Sequence, residues 1–167
     1  MPPSYINILK NIIDLSHNLL SGSISQEVAS SKELSEISVF VVGHNRLVGS
    51  LPSGMSLWIQ LEDLDVSSNE LVGEVTRDAG AYSNVLMSIN IEDNNFTSID
   101  PEVCSTWKRL STCNVRRNDF ECCPPCIDDV RSSPRVLFDD SRGRPPLTHS
   151  HSVFYLPLHF KRILLTI

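Results

Sequence analysis

The 167 residues predict an α/β-type repeat solenoid, in which short parallel strands stack rung on rung and line a concave face. Three observations predict it. Asparagines recur at Asn18, Asn45, Asn69, Asn94 and Asn118, spaced 27, 24, 25 and 24 residues apart. Before each asparagine stand two inward positions, two residues apart, as on one face of a strand: Ile13/Leu15, Phe40/Val42, Leu64/Val66, Ile89/Ile91 and Cys113/Val115. After each comes an apolar residue two positions on, and in the first three copies a glycine two positions beyond that. A single copy cannot bury such a face, but stacked neighbours bury a continuous core.

The rungs follow in order. The first reads Ile13-Asp-Leu15-Ser-His-Asn18-Leu-Leu20-Ser-Gly22-Ser-Ile24, with Lys10 where the pattern wants an apolar residue. The second is the fullest copy and runs from Ile37 through Phe40, Val42, Asn45, Leu47 and Gly49 to Leu51-Pro52. The third runs from Leu61 through Leu64, Val66, Asn69, Leu71 and Gly73 to Val75. The fourth runs from Leu86 through Ile89, Ile91 and Asn94 to Phe96, and is one residue short in its tail, Phe96-Thr-Ser-Ile99-Asp-Pro101. The fifth, Leu110 to Phe120, has Cys122 where the glycine belongs. A buried asparagine offers two amide donors and one acceptor, so the Asn ladder is structural, satisfying backbone where the chain leaves each strand. The glycines suit a turn with φ > 0. Pro52 and Pro101 suit an extended outer side with fewer ladder donors.

The pattern LxxLxLxxNxL, with GxLP at Gly49 to Pro52, resembles the plant-type leucine-rich repeat. That type is found in receptor-like kinase and receptor-like protein ectodomains and in polygalacturonase-inhibiting proteins, with similar repeats in protist surface antigens. The resemblance covers roughly residues 6–122. It implies a right-handed superhelix with a short parallel β-sheet on the concave side and an irregular or 3-10 convex side. It also implies recognition of a protein, peptide or glycan ligand, an extracellular or cell-surface location, and a cysteine-closed C-terminal end.

Composition narrows the remaining classes. Hydrophobic residues make up 41% and charged residues 20%, an ordinary globular balance. A net charge of −6 argues against a nucleic-acid binder. No apolar run approaches the roughly 18 residues of a membrane helix. The first residues lack the basic-then-apolar order of a secretory leader, and the repeat begins almost at Met1. The chain is therefore expected to be a fragment, tied to a membrane only through parts of a longer protein. Residues 1–126 carry 8 Lys/Arg against 16 Asp/Glu, and residues 127–167 carry 6 against 4. That break divides a repeat domain, 1–126, from a poorly structured tail, 127–167, rich in Ser-Pro and Arg-Gly-Arg-Pro-Pro sequence.

Side chains between the inward pairs point to the open face of the sheet and form columns. One runs Asp14, Val41, Asp65, Asn90, Asn114, and the next Ser16, Gly43, Ser67, Glu92, Arg116. A third runs His17, His44, Ser68, Asp93, Arg117, and a fourth Ile12, Val39, Asp63, Ser88, Thr112. The face passes from mildly apolar through acidic to basic. Asp63, Asp65, Ser67, Ser68, Asn90, Glu92, Asp93, Asn114, Arg116 and Arg117 are the candidate ligand-binding residues. Arg116 and Arg117 form either an anion hook or ion pairs with Glu92 and Asp93, their column neighbours. His17 and His44 would need a third ligand to hold a metal, and Ser68 is a poor one, so no metal is expected.

All five cysteines (Cys104, Cys113, Cys122, Cys123, Cys126) fall within 23 residues. A disulfide-stapled cap, a zinc site and a redox pair all remain open, and five cysteines leave one over. Asn95-Phe96-Thr97 is the only N-x-[ST] sequence, so Asn95 would carry a glycan in a secreted protein. No nucleotide-binding, metalloprotease, hydrolase or kinase signature is present. The expected role is a non-catalytic, cofactor-free recognition module. The alternative is a structural segment that stacks on further repeats or on another copy through the apolar Ile12, Val39 and Val41.

Overall fold

The computed structural model describes residues 11–77, 84–103, 107–120 and 136–137. Each rung places one short strand before its asparagine: β1 (Ile12–Asp14), β3 (Val39–Val41), β5 (Asp63–Asp65), β7 (Ser88–Asn90) and β9 (Thr112–Asn114). They pair in parallel in the order β1-β3-β5-β7-β9. Ile13 stands opposite Phe40, Phe40 opposite Leu64, Leu64 opposite Ile89 and Ile89 opposite Cys113. The central residue of each strand is buried and its two neighbours are half-buried or exposed, as a period of two requires. Backbone bonds continue past the strands, with Val42 N–H donating to the Asp65 carbonyl at 2.8 Å and Val66 N–H to the Asn90 carbonyl at 2.9 Å.

The asparagines then close each rung onto the one before it. The Asn69 amide donates to the carbonyls of Val66 and Ser67 in its own rung and of Val42 in the preceding one, each at 3.1 Å. Its oxygen accepts the Leu47 N–H at 2.9 Å. Asn45, Asn94 and Asn118 repeat that set through Leu20, Leu71 and Phe96 N–H. Gly22, Gly49 and Gly73 have φ of 89°, 81° and 86°, the conformation expected of them.

A second sheet follows the ladder, in the stretch that holds the turn glycines. Its strands are β2 (Ser21–Gly22), β4 (Arg46–Gly49), β6 (Glu70–Val75) and β8 (Asn95–Ile99), all parallel. The short fourth rung is absorbed here. Pairing steps from Gly73–Phe96 to Glu74–Ser98, which leaves Thr97 over and brings the inward Val75 and Ile99 back into line.

The outer side carries single turns: α1 (Gln26–Ala29), capped by the Ser25 hydroxyl, and the 3-10 turns η1 (Lys32–Leu34) and η2 (Ser53–Leu57). Trp58 ties two of these segments together. Its indole N–H donates to the Ala29 carbonyl at 2.9 Å, and its ring lies 4.9 Å from Phe40. Gly54 is required by close approach, since a Cβ there would lie 2.8 Å from the Ser30 backbone nitrogen. The tail expected after residue 126 lies outside the described residues except for β10 (Val136–Leu137), which pairs in parallel with β9 as the sixth strand of the first sheet. No described helix is long and apolar enough to cross a membrane.

Candidate functional site: the open face of the first sheet

Strand alternation leaves the column side chains half-buried or exposed except at Gly43 and Ser67, which are buried, and hydrogen bonds tie several of them together. Asp65 is doubly engaged. Its Oδ1 accepts the Ser67 N–H at 2.9 Å and the Ser67 hydroxyl at 2.6 Å, and its Oδ2 accepts the Asn90 amide at 3.1 Å. Asn90 Oδ1 in turn accepts the Glu92 N–H at 3.2 Å, and Glu92 Oε2 accepts the Asn114 amide at 2.7 Å. The two bonds between side chains cross between rungs, from β5 to β7 and from the turn after β7 to β9, so the polar groups of this face are tied to one another. Ser67 is buried with its hydroxyl turned to Asp65. Gly43, in the preceding rung, leaves room for this turn, because a Cβ there would lie 3.0 Å from both Asp65 Oδ1 and Ser67 Oγ.

The basic end is arranged differently from the column pairing considered above. Glu92 Oε1 faces Arg117 Nε at 4.0 Å, not Arg116. Arg116 Nε is buried with no hydrogen-bond partner among the described residues. Asp93, instead of meeting Arg117, accepts the Ser68 hydroxyl at 3.1 Å. A diagonal step lets the longer reach of Arg117 meet the carboxylate one column over. Such a half-exposed pair contributes about 0–1 kcal/mol. Asp93 and Arg117 are exposed, and Asp63 and Ser68 half-buried.

The third column shares one backbone conformation. His17, His44, Ser68, Asp93 and Arg117 all have positive φ, between 49° and 60°. The chain makes the same left-handed turn just before every ladder asparagine. The signal in the sequence was thin, since His, Asp and Asn tolerate this region better than most residues but Ser and Arg do not stand out. His17 and His44 lie in adjacent rungs with rings stacked 4.2 Å apart and 10° from parallel. Among the described residues no group of three His, Cys, Asp or Glu side chains is placed to hold a metal.

Cys113 occupies the inward position of β9. It is a free thiol at 1% exposure, and burial pushes its pKa up to about 12. It serves as a core residue in the place of an aliphatic one. Cys104, Cys122, Cys123 and Cys126 lie outside the described residues. Asn95 is exposed at the start of β8.

The repeat geometry agrees with the comparisons to known proteins. The chain is 34% identical over 120 residues to receptor-like protein 35 of Arabidopsis thaliana. The chain belongs to the plant-type leucine-rich repeat proteins. Solved leucine-rich repeat structures of similar shape include PEPR1 with AtPEP1, with TM-score 0.60, 30% identity, 71% of this chain and 16% of that one. A plant peptide hormone receptor, RGFR1 in complex with RGF2, matches with TM-score 0.50 and 27% identity over 72% of this chain and 22% of its own. No family model matches the chain. The match to receptor-like protein 35 takes in 71% of this repeat chain and 12% of that protein, so the chain spans only a small part of its curated relatives.

Proposed function

We propose that the chain is a non-catalytic recognition segment of a receptor-like protein, facing the outside of the cell, and that it binds a protein, peptide or glycan on the open face of its first sheet. The observation that carries this reading is the division of labour on that face. Asp65, Asn90, Glu92 and Asn114 hold the strands to one another, which makes a fixed polar floor. Asp63, Asp93 and Arg117 border that floor with charge turned outward. A surface set in advance loses little conformational freedom on binding. The receptor-like names of its relatives, and the peptide hormone receptor among similar structures, favour a peptide over a glycan. Panning a random-peptide display library on the full chain tests this. Selected peptides should lose at least tenfold in affinity on the Asp63→Ala, Asp93→Ala, Arg117→Ala triple variant. Peptides that bind the variant equally well would move the site elsewhere.

A second reading rests on a different observation. On the first described rung, Ile12 is 42% and Leu19 75% exposed, and among the described strands β1 and β2 end their sheets. A rung of this kind stacks on another repeat or on a second copy. Light scattering that shows mass rising with concentration would favour it, and a constant monomer mass would end it for the second copy.

A further inference from the structure

We infer that Asn95 is the acceptor of an N-linked oligosaccharide, and that the flank formed by β6 and β8 is a sugar-bearing face separate from the open face of the first sheet. The inference rests on the extracellular reading above, since the donor sugar is met only on the secretory route. Asn94 and Asn95 are adjacent and chemically identical, yet the fold gives them opposite roles. Asn94 is buried, and its amide donates to the carbonyls of Val66, Ile91 and Glu92 at 3.0–3.3 Å. Asn95 is exposed, and among the described residues its amide reaches only the exposed Asp119 carboxylate at 3.4 Å, at the limit of a hydrogen bond. Modifying Asn94 would remove a rung closure, whereas modifying Asn95 removes one long surface contact.

The spacing of the triplet fits the strand. Phe96 is fully buried between Asn95 and Thr97, both of which are exposed, so the asparagine and the hydroxyl needed for acceptance lie on the same outward side. Thr97 is also the residue left over at the register shift, and its hydroxyl makes one 3.3 Å bond to the Gly73 carbonyl. The neighbours on this flank are the exposed Glu70, Glu74 and Asp119, with Val72 at 44% exposure between them. A hydrated, neutral oligosaccharide covers such a mixed surface without burying a charge.

In the transfer, Asn95 Nδ2 forms a bond to the anomeric carbon of a lipid-linked oligosaccharide diphosphate. The bond from that carbon to the diphosphate oxygen breaks, and the diphosphate leaves with the electron pair. One Nδ2 proton is released, and nothing is oxidised or reduced.

The test is expression of the full chain behind a supplied secretory leader in a eukaryotic cell, followed by intact and peptide mass spectrometry. One N-glycan is expected, removed by peptide N-glycosidase with conversion of residue 95 to aspartate. Asn95→Gln and Thr97→Ala should abolish it, and Thr97→Ser should keep it. A secreted, soluble wild-type chain with unmodified Asn95 would overturn the inference, as would a glycan that persists in Asn95→Gln. Because the leader is supplied, that failure would concern the acceptor alone. The recognition reading stands or falls separately on the peptide panning.

Discussion

Replacing Asn69 by alanine should cost far more than replacing Asn18, although both occupy the same motif position. The partners set the difference. Asn69 accepts the buried Leu47 N–H and donates to three carbonyls. Those carbonyls keep other donors: Val42 from Asn45, Val66 from Asn94 and Ser67 from His44 N–H. The Leu47 N–H is the group that is orphaned, in a residue only 5% exposed. An unsatisfied buried donor costs about 1–3 kcal/mol, and the vacated volume and weakened carbonyls bring the expected loss to about 2–4 kcal/mol. Asn18 is exposed, and among the described residues it bonds only the carbonyls of Leu15 and Ser16 and no N–H donates to its oxygen. Its loss should cost about 0.5–1 kcal/mol. Urea unfolding followed by circular dichroism and by fluorescence of the buried Trp58 and Trp107 measures both. Asn69→Asp refines the test, because it keeps the acceptor for Leu47 while removing the donors. A cost for Asn69→Ala within about 0.5 kcal/mol of that for Asn18→Ala would refute the reasoning, since that is the scatter of ordinary surface substitutions.

The Cys113 thiol, raised from 9.0 to about 12 by burial, should resist alkylation until the chain unfolds. The unfolded thiol ionises first, so between pH 9 and about 12 the native state holds one more proton, and stability falls by about 1.4 kcal/mol per pH unit. Below pH 9 that contribution is fully present, and Cys113→Val should remove the slope in denaturation measured against pH; a slope that survives would assign it to other groups. Trp58→Phe, which deletes the donor to Ala29 and leaves a buried carbonyl, should lose about 1–3 kcal/mol in urea unfolding. Gly49→Ala, at φ 81° and with a Cβ 3.3 Å from that of Ser23, should lose about 1–2 kcal/mol, and an unchanged midpoint would contradict the left-handed conformation.

Much of the fold was legible because the core writes itself into a fixed spacing. Phe40, Leu64 and Ile89 are each the middle residue of a strand, and each was recognisable as the first member of an apolar pair before an asparagine. The second sheet was harder to see. Its strands rest on Leu47, Leu71 and Phe96 with exposed residues on either side, but β2 is only two residues long and the glycines looked like turn residues alone. Both functions coexist, because Gly49 and Gly73 pair in the sheet while taking positive φ. The arginine partners were not legible at all. Columns give the register of Cβ atoms, whereas a guanidinium reaches across to the neighbouring column, as Arg117 does toward Glu92.

The candidate site was legible as a surface but not as a set of roles, and the distinction governs how it has to be tested. Asp65 and Glu92 are the most conspicuous acidic residues on the face, yet both oxygens of each carboxylate are already engaged within the sheet. Asp65→Ala would strand the Asn90 amide and the Ser67 N–H, so reduced binding in that variant would report damage to the floor as readily as loss of a ligand contact. Asp63, Asp93 and Arg117 carry less of the sheet. No described residue bonds the Asp63 carboxylate, Asp93 takes one serine hydroxyl, and Arg117 makes one 4.0 Å ion pair. Substitutions at these three should leave the urea midpoint within about 0.5 kcal/mol of wild type while binding falls. Asp65→Ala should lower both together. If the three bordering substitutions lower stability as much as Asp65→Ala does, the charges at the border belong to the scaffold, and the ligand must be sought off this face.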